Sequence, residues 1–267
     1  MKIPYLKAHG AKNDFLLTWA HEAPAEPLAG LARAICDRHT GIGADGWLLV
    51  ERAGQRQEAD GAIRLINSDG SEAEISGNGT RCAAAFLIHH GLASEHVRVG
   101  TGAGVKHLRL LERSGLHFVF EMNMGHPEIR EEHFELPLST GARDVTLVRV
   151  GNPQCSVPVE NFDFDWRSVG AEIERHPHFP NRTNVSFFRV VDGHTIEVRF
   201  WERGAGETMS SGTGSTGAAA AAICRGAVKD PITVLTPAGE LQLRGNPDVF
   251  LVGPAEILAE GVFYLGE

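Results

Sequence analysis

Two short segments of the chain combine a hydroxyl side chain, a glycine-rich turn and an alanine-rich run in the same order. The first is 76–81 (SGNGTR) and the second, 135 residues later, is 211–216 (SGTGST). A glycine-rich turn that opens a helix leaves backbone N–H groups unpaired and presents the positive end of the helix dipole, so it can bind an anion. The two turns therefore predict one small acidic ligand bound between two halves of the chain.

A ligand carboxylate held by both turns would have specific residues around its α-carbon. Its donors would be the backbone N–H groups of Gly77, Asn78, Gly212 and Thr213. The same donors would stabilise the negative charge that builds up when the α-proton leaves. Ser76 and Ser211 would then face the α-carbon from opposite sides. Two opposed proton-transfer groups at a stereocentre are what a two-base racemase or epimerase needs.

The similarity of the two halves extends upstream of the turns. Strand-like runs at 63–67 and 196–203 precede them, and Asn67 and Glu202 each lie nine residues before the serine of their turn. A strand, a loop, an anion-binding turn and a helix therefore occur twice. We interpret this as an internal duplication, and because its period is long it predicts two domains and not a solenoid.

The composition limits the classes of function. The chain has 267 residues, a formal net charge of −9 and 42% hydrophobic residues, which is ordinary for a globular protein of one large domain or two. The negative charge disfavours nucleic acid and anionic membranes as partners. No apolar run approaches the roughly 20 residues that cross a bilayer, and we see no secretion signal. Four cysteines at irregular spacing indicate neither a metal site nor disulfides, so we expect a cytoplasmic protein.

The periodicity of apolar residues predicts the elements that must position the two turns. Helices are predicted at 28–38, 80–90, 166–175 and 217–225. Strands are predicted at 97–99, 108–111, 118–120, 145–150, 185–191 and 232–235. We expect an α+β fold of two similar halves that meet near 122–127, each a curved sheet around one buried helix. The acidic segment 128–135 is interpreted as a solvated surface.

With these motifs in place, the sequence resembles the diaminopimelate epimerase family over nearly the whole chain. The matching segments are 9–15, 36–45, 67–72, 77–82, 151–153, 182–185 and 201–208. The resemblance implies interconversion of diaminopimelate stereoisomers for lysine and cell-wall synthesis, without a metal or another cofactor. It also implies two pseudo-symmetric domains with mostly antiparallel sheets and the substrate in the cleft between them. We expect 1–122 with a C-terminal tail of about 258–267 to form one domain and 123–257 the other, in a homodimer.

The resemblance also places six side chains around the substrate, a small amino acid. They are Asn13, Asn67, Asn152, Asn184, Glu202 and Arg203. An arginine fork suits the carboxylate far from the reacting carbon. Neutral amides and one glutamate suit the two ammonium groups without adding positive charge.

The sequence departs from the family pattern at the reacting positions. Ser76 and Ser211 stand where the family has cysteines, and Gln154 stands where the family has a histidine. A helix N-terminus can lower a thiol pKa enough to give a thiolate, whereas a serine hydroxyl is far less acidic and needs its own base. Ile75 and Gly46 also differ from the family's polar residues. We therefore predict a slow epimerase with Ser76 and Ser211 as the proton-transfer pair.

Three other interpretations stay open. The two serines could serve only as helix N-caps. The protein could bind an amino acid without turning it over, which the replaced cysteines and histidine favour. The segment 212–217 also fits the Gly-x-Gly-x-x-Gly pattern of dinucleotide-binding enzymes, although its context is poor because it follows a loop and sits late in the chain.

Overall fold

The structure is a computed structural model that describes residues 2–25, 27–52, 58–245 and 247–265. The chain divides into two units, Met1–Met122 with Gly253–Glu267, and Asn123–Val252. The last two residues of the expected C-terminal tail lie outside the described residues. The tail that joins the first unit begins at Gly253 and not at 258, because residues 256–264 pair with the N-terminal strand.

The first unit combines a β-sheet with α-helices. Its strands are β1 (Lys2–Gly10), β2 (Asn13–Trp19), β3 (Gly46–Arg52), β4 (Gly61–Asn67), β5 (Glu72–Ala73), β6 (His96–Thr101), β7 (Gly104–Ser114) and β8 (His117–Gly125), and its helices are α1 (Leu28–Cys36) and α2 (Gly77–His89). A short 3₁₀ turn, Ala20–Glu22, follows β2. Strand β2 pairs parallel to β3, and β4 pairs parallel to β6. The other pairings in this unit for which a register is described are antiparallel.

The second unit repeats this order of elements. Its strands are β9 (Glu128–Leu136), β10 (Arg143–Val150), β11 (Asn152–Pro158), β12 (Asn184–Asp192), β13 (Thr195–Glu202), β14 (Gly206–Thr208), β15 (Ile232–Thr236), β16 (Gly239–Arg244) and the start of β17 (Val249–Tyr264), and its helices are α3 (Trp166–Glu174) and α4 (Gly212–Cys224). The parallel pairs are β11 with β12 and β13 with β15. Each parallel pair has its counterpart in the first unit, so the predicted α+β fold of two similar halves is confirmed.

Helices α2 and α4 are the buried helices that the alanine-rich runs predict. Alanine is the best helix former and its small side chain permits close packing, and Ala83, Ala84 and Ala85 are fully buried in α2. Both helices begin earlier than predicted, at Gly77 and Gly212. The glycine-rich segments are thus the first turns of the helices and not loops that precede them.

The glycines in these first turns are needed for close packing. A Cβ atom added at Gly214 would lie 2.9 Å from Phe200 Cδ1, Ser186 Oγ and Ser211 Oγ. Such contacts are shorter than side chains tolerate, so glycine lets the start of α4 lie directly on strands β12 and β13. The position of the second turn therefore depends on a residue without a side chain.

Strand β9 was missed by the sequence analysis. Residues 128–135 are mostly exposed, as predicted, but they form a strand that pairs antiparallel with β10. Acidic residues are disfavoured in strands, so the composition concealed a segment whose backbone satisfies its hydrogen bonds in the sheet. Across the described ranges, the structure contains no helix of the length and apolarity that a membrane span requires.

Candidate functional site

The first anion-binding turn is built around Ser76 at the N-terminus of α2. Ser76 is the N-cap, with an extended backbone (φ −128°, ψ 124°), and its Oγ accepts a hydrogen bond from Gly79 N at 3.1 Å. Its carbonyl oxygen accepts hydrogen bonds from Thr80 N and from Thr80 Oγ1. The capping interpretation of Ser76 is thus correct, and capping occupies a lone pair of the hydroxyl oxygen while leaving its proton available.

A chain of amides connects this turn to the start of β2. Asn78 donates from Nδ2 to Asn13 Oδ1 at 3.1 Å, and Asn13 donates from Nδ2 to Asp45 Oδ2 at 2.6 Å. Both asparagines are buried. Asn78 Oδ1 accepts from the guanidinium of Arg81, which is fully buried and also donates to Gly77 O and Pro254 O. Burial lowers the pKa of Arg81 to about 10, so it carries a positive charge next to the turn at neutral pH.

Asp45, which accepts from Asn13, belongs to a cluster of charged side chains that also contains Asp14. Arg38 donates to Asp14 Oδ1 and to Asp45 Oδ1, each at 2.7 Å, and Lys7 lies 3.1 Å from Asp14. Burial alone would raise the pKa of Asp14, but Arg38 and Lys7 more than offset it and the pKa is lowered. Burial and the charge of Asp14 raise the pKa of Asp45. This cluster lies in the segments that resemble the family, yet the sequence analysis assigned no function to it.

Asn67 lies at the end of β4, as its position in the repeat predicts. It is buried and donates from Nδ2 to Ser71 Oγ at 3.1 Å. The backbone N–H of Asn67 donates to Ser71 O at 2.8 Å within the loop after β4. The amide is therefore fixed by the 67–71 loop.

The second turn differs from the first in the partner of its serine. Ser211 is the N-cap of α4 and accepts from Gly214 N at 3.1 Å, as Ser76 accepts from Gly79. Ser211 Oγ also donates to Glu202 Oε2 at 2.7 Å, while Thr208 donates to Glu202 Oε1 at 2.7 Å. The hydroxyl of Ser211 is thus hydrogen-bonded to a carboxylate, and it is 2% exposed.

Asn152 and Gln154 line the same turn from β11. Gln154 donates from Nε2 to Asn152 Oδ1 at 2.6 Å and to Thr213 Oγ1 at 3.1 Å, and Asn152 Nδ2 lies 3.4 Å from Thr213 Oγ1. The contact of Asn152 with Thr213 is the counterpart of the contact of Asn13 with Asn78. Gln154 is thus a buried amide that fixes its neighbours and takes up no proton.

Asn184 and Arg203 form the remaining part of the second half. Asn184 donates from Nδ2 to Pro153 O at 3.1 Å and accepts from Arg203 N at 3.0 Å. The guanidinium of Arg203 donates to Asn181 O at 3.2 Å. Within the second unit, the structure thus brings together the predicted residues Asn152, Asn184, Glu202, Arg203, Ser211 and Thr213.

Two features of the site were not predicted. The resemblance indicated a ligand ammonium group as the partner of Glu202, and the structure adds a hydrogen bond to its carboxylate from Ser211 Oγ. The buried charge of Arg81 was also missed, because an arginine in a helix is ordinarily exposed.

The comparisons with known proteins cover nearly the whole chain and agree on one family. The model of the diaminopimelate epimerase family matches residues 5–129 and 146–258. A diaminopimelate epimerase of Pelotomaculum thermopropionicum is 38% identical, over 97% of this chain and 98% of the relative. This chain belongs to the diaminopimelate epimerase family. Another relative, from Burkholderia pseudomallei, is also 38% identical, over 99% of both chains.

Solved structures show that the fold of the family extends to other epimerases. A hydroxyproline epimerase from Agrobacterium vitis with bound trans-4-hydroxy-L-proline superposes with a TM-score of 0.78 at 17% identity, covering 100% of this chain and 93% of that chain. A predicted epimerase from Pseudomonas aeruginosa gives 0.71 at 17% identity, with 99% and 100% covered. Family membership makes this protein an isomerase of the amino-acid epimerase type. Among the described residues, no group of three or more His, Cys, Asp or Glu is arranged to hold a metal ion.

Proposed function

We propose that the protein interconverts the LL and meso stereoisomers of diaminopimelate by proton transfer at one α-carbon, with no cofactor. The observation that carries the proposal is the 2.7 Å hydrogen bond from Ser211 Oγ to Glu202 at the start of α4. It supplies the base that an alcohol requires to act in proton transfer. Family membership supports the choice of substrate.

The substrate's near carboxylate binds the backbone N–H groups at the two turns. Those donors are the ones predicted from the sequence, at Gly77, Asn78, Gly212 and Thr213. The positive ends of α2 and α4 and the buried charge of Arg81 favour a negative group there. Arg203 binds the distal carboxylate. Asn13, Asn67, Asn152 and Asn184 orient the ligand through their amides.

Ser211 Oγ takes the α-proton while its own hydroxyl proton passes to Glu202, and the bonding electrons remain on the substrate as an enolate-like carboxylate. Ser76 then gives its hydroxyl proton to the opposite face of the α-carbon. The alkoxide left on Ser76 is stabilised by Gly79 N–H and by the helix N-terminus. The steps run in reverse for the other stereoisomer, and solvent restores the starting protonation.

Turnover by this serine pair is slow. An alcohol is a much weaker acid than a thiol, and only Ser211 has a carboxylate partner. We expect the double variant Ser76→Cys/Ser211→Cys to exchange the α-proton faster than the natural protein, because a thiolate at a helix N-terminus is easily formed.

The test uses LL-diaminopimelate in heavy water, with the α-proton signal followed by NMR. We expect slow deuterium uptake and appearance of the meso isomer with the natural protein, and faster uptake with Ser76→Cys/Ser211→Cys. Absence of uptake with both proteins rules out the epimerase assignment, since the second protein separates a weak base from a wrong site.

A second candidate function is amino-acid binding without turnover. It is favoured by Gln154, whose amide cannot transfer a proton, and by the capping bond of Ser76. This candidate requires tight binding of diaminopimelate by titration calorimetry together with no deuterium uptake by the natural protein. Uptake by the natural protein eliminates it.

We further propose that the protein acts in lysine and cell-wall precursor synthesis in the cytoplasm, as a homodimer. Three exposed apolar side chains along β17 support an interface. They are Leu258 at 48%, Val262 at 41% and Tyr264 at 68% exposure, and adjacent exposed apolar residues mark interaction surfaces. Sedimentation equilibrium tests the dimer, and a Tyr264→Lys variant should sediment as a monomer.

A further inference from the structure

The second unit contains a buried carboxylate that the proposed chemistry does not use. Glu174 is the last residue of α3 and is 2% exposed. A carboxylate is unfavourable at a helix C-terminus, where the helix dipole is negative, and its burial costs free energy unless donors surround it. Its retention there requires partners that compensate both effects.

Those partners come from two segments that adjoin residues of the candidate site. Trp201 Nε1 donates to Glu174 Oε2 at 3.0 Å, and Gly204 N donates to Oε1 at 3.2 Å. Trp201 and Gly204 immediately flank Glu202 and Arg203. From the other loop, Arg182 Nη1 donates to Oε1 at 3.0 Å. One carboxylate thus bonds to Trp201, Gly204 and Arg182 and holds their two segments together.

The 181–184 loop, which Glu174 contacts through Arg182, also contacts Arg203. Arg203 donates from its backbone N to Asn184 Oδ1 at 3.0 Å and from Nη1 to Asn181 O at 3.2 Å. Between these two contacts lies Arg182, which has a positive φ of 59°. Non-glycine residues adopt this conformation only where their surroundings enforce it. The ion pair of Arg182 with Glu174, and the bond from Thr183 N to Glu174 O, enforce it here.

We propose that Glu174 is a positioning residue that sets the specificity of the site for a second carboxylate. It fixes the 181–184 loop against the 201–204 loop, and so it fixes the direction in which Arg203 presents its guanidinium. This inference rests on the proposed function, in which Arg203 binds the distal carboxylate of diaminopimelate. Glu174 touches neither the ligand nor the reacting atoms.

The experiment compares binding of diaminopimelate with binding of lysine, which lacks the distal carboxylate. The variant is Glu174→Gln, which keeps the size of the side chain but removes its charge and places an amide donor among three donors. The matched control is Glu172→Gln on the same helix, because Glu172 bonds to Ser139 N and Oγ and to neither loop. A second variant, Trp201→Phe, removes one donor and keeps the aromatic ring in case Glu174→Gln does not fold.

We expect calorimetry to show that Glu174→Gln binds diaminopimelate at least tenfold more weakly while its affinity for lysine is unchanged. Trp201→Phe should show a smaller loss of the same kind, and Glu172→Gln none. Amide NMR signals of Asn184 and Arg203 should shift in Glu174→Gln but not in Glu172→Gln. This pattern is not produced by a general loss of stability, which would weaken both ligands equally.

Two results would overturn the inference, and they can be told apart. Unchanged selectivity and unchanged Asn184 and Arg203 signals in Glu174→Gln, with selectivity in the natural protein, contradict the positioning function alone. Equal affinity of the natural protein for diaminopimelate and lysine contradicts the proposed substrate, and it removes the specificity of Arg203 on which the inference depends.

Discussion

The two serines at the helix N-termini have different surroundings although their turns are repeats. Ser211 is bonded to the carboxylate of Glu202, whereas the equivalent position before Ser76 is the amide Asn67. Five residues after each serine the chain carries the buried cation Arg81 in the first copy and the neutral Thr216 in the second. In the proposed mechanism, Glu202 therefore favours proton acceptance by Ser211. The charge of Arg81 favours a negative charge on Ser76.

This difference leads to a prediction for Glu202→Gln. The amide keeps the shape and the hydrogen-bond acceptor but cannot take the proton of Ser211. We expect the rate of α-proton exchange in heavy water to fall by about 10²-fold or more, the usual contribution of a general base. The control is Glu207→Gln, an exposed residue paired with Arg167, which should exchange at the natural rate. Equal rates in Glu202→Gln and the natural protein would show that Glu202 is not the base.

At the scale of elements, the turns depend on what fixes the ends of α2 and α4. Arg81 ties the first turn of α2 to Pro254 O at 3.0 Å. At the C-terminal end of α4, Arg225 donates to both oxygens of Asp144 at 2.8 and 2.9 Å and to Thr146 Oγ1 at 2.7 Å. Each helix is thus held at one end by an arginine from its own sequence.

Replacement of Arg81 by Met should be strongly destabilising. It removes the guanidinium donors to Asn78 Oδ1, which is buried, and to Pro254 O, and each buried group that loses its hydrogen bond costs about 1–3 kcal/mol. We expect the free energy of unfolding in urea to fall by at least about 2 kcal/mol. Arg109→Met is the control, since Arg109 forms an ion pair that is 46% exposed and worth about 1 kcal/mol at most. Similar losses in both variants would mean that the buried bonds contribute little.

The contact between Arg225 and Asp144 predicts a pH dependence of stability. The hydrogen bond from Arg225 lowers the pKa of Asp144 to about 2, below its value of about 3.9 in an unfolded chain. The stabilisation is therefore complete above pH 4 and is lost as the pH falls toward 2. It is small, because the Asp144 side chain is 51% exposed and screened by solvent.

Thermal unfolding of Asp144→Asn measures this effect. Its Tm should lie below that of the natural protein at pH 6, and the two values should converge between pH 4 and pH 2. The exposed Asp163→Asn should match the natural protein throughout. A difference that persists unchanged at pH 2 would assign the effect to packing and not to charge.

The sequence predicted helices α2 and α4 but not their starts, and it did not predict β1, β2, β3, β11, β16 or β17 as strands. The alanine runs predicted α2 and α4 because composition and burial agree there, but both helices were started too late, at 80 and 217, since glycine is a poor helix former. Their true starts depend on N-capping by Ser76 and Ser211 and on close packing at Gly214. Strand β9 was missed because its acidic residues contradict the usual composition of strands.

The contacts among the predicted site residues were not predicted. The second-half residues lie together as expected, and the repeat marked Glu202. Ser211 bonds to Glu202, and Glu174 holds two segments together. Both contacts depend on backbone positions that are separated in sequence and meet only in the folded sheet. Such contacts have no local pattern, so spacing alone could not indicate them.

At the scale of the whole molecule, burial predicts how the four thiols react. Cys36, Cys82 and Cys155 are buried, and burial raises the pKa of Cys36 and of Cys82 to about 12. Burial also raises the pKa of Cys155. Cys224 at the end of α4 is partly exposed. Reaction of the folded protein with Ellman's reagent should release one equivalent rapidly at pH 8, and four after denaturation.

The control for this assignment is Cys224→Ser, which should abolish the rapid phase and leave three thiols detectable after denaturation. Rapid release of more than one equivalent from the folded natural protein would show that a unit opens readily in solution. The result therefore also measures how well each core excludes solvent.

Both copies of the repeat are encoded in one polypeptide, and this has a consequence for how the site can evolve. An assembly of two identical chains must carry the same residue at both equivalent positions, so a mutation that helps proton acceptance on one side is imposed on the other. Covalent fusion removes that constraint. Asn67 and Glu202, or Arg81 and Thr216, could diverge independently, which lets the surroundings of Ser76 and of Ser211 be adjusted by separate mutations.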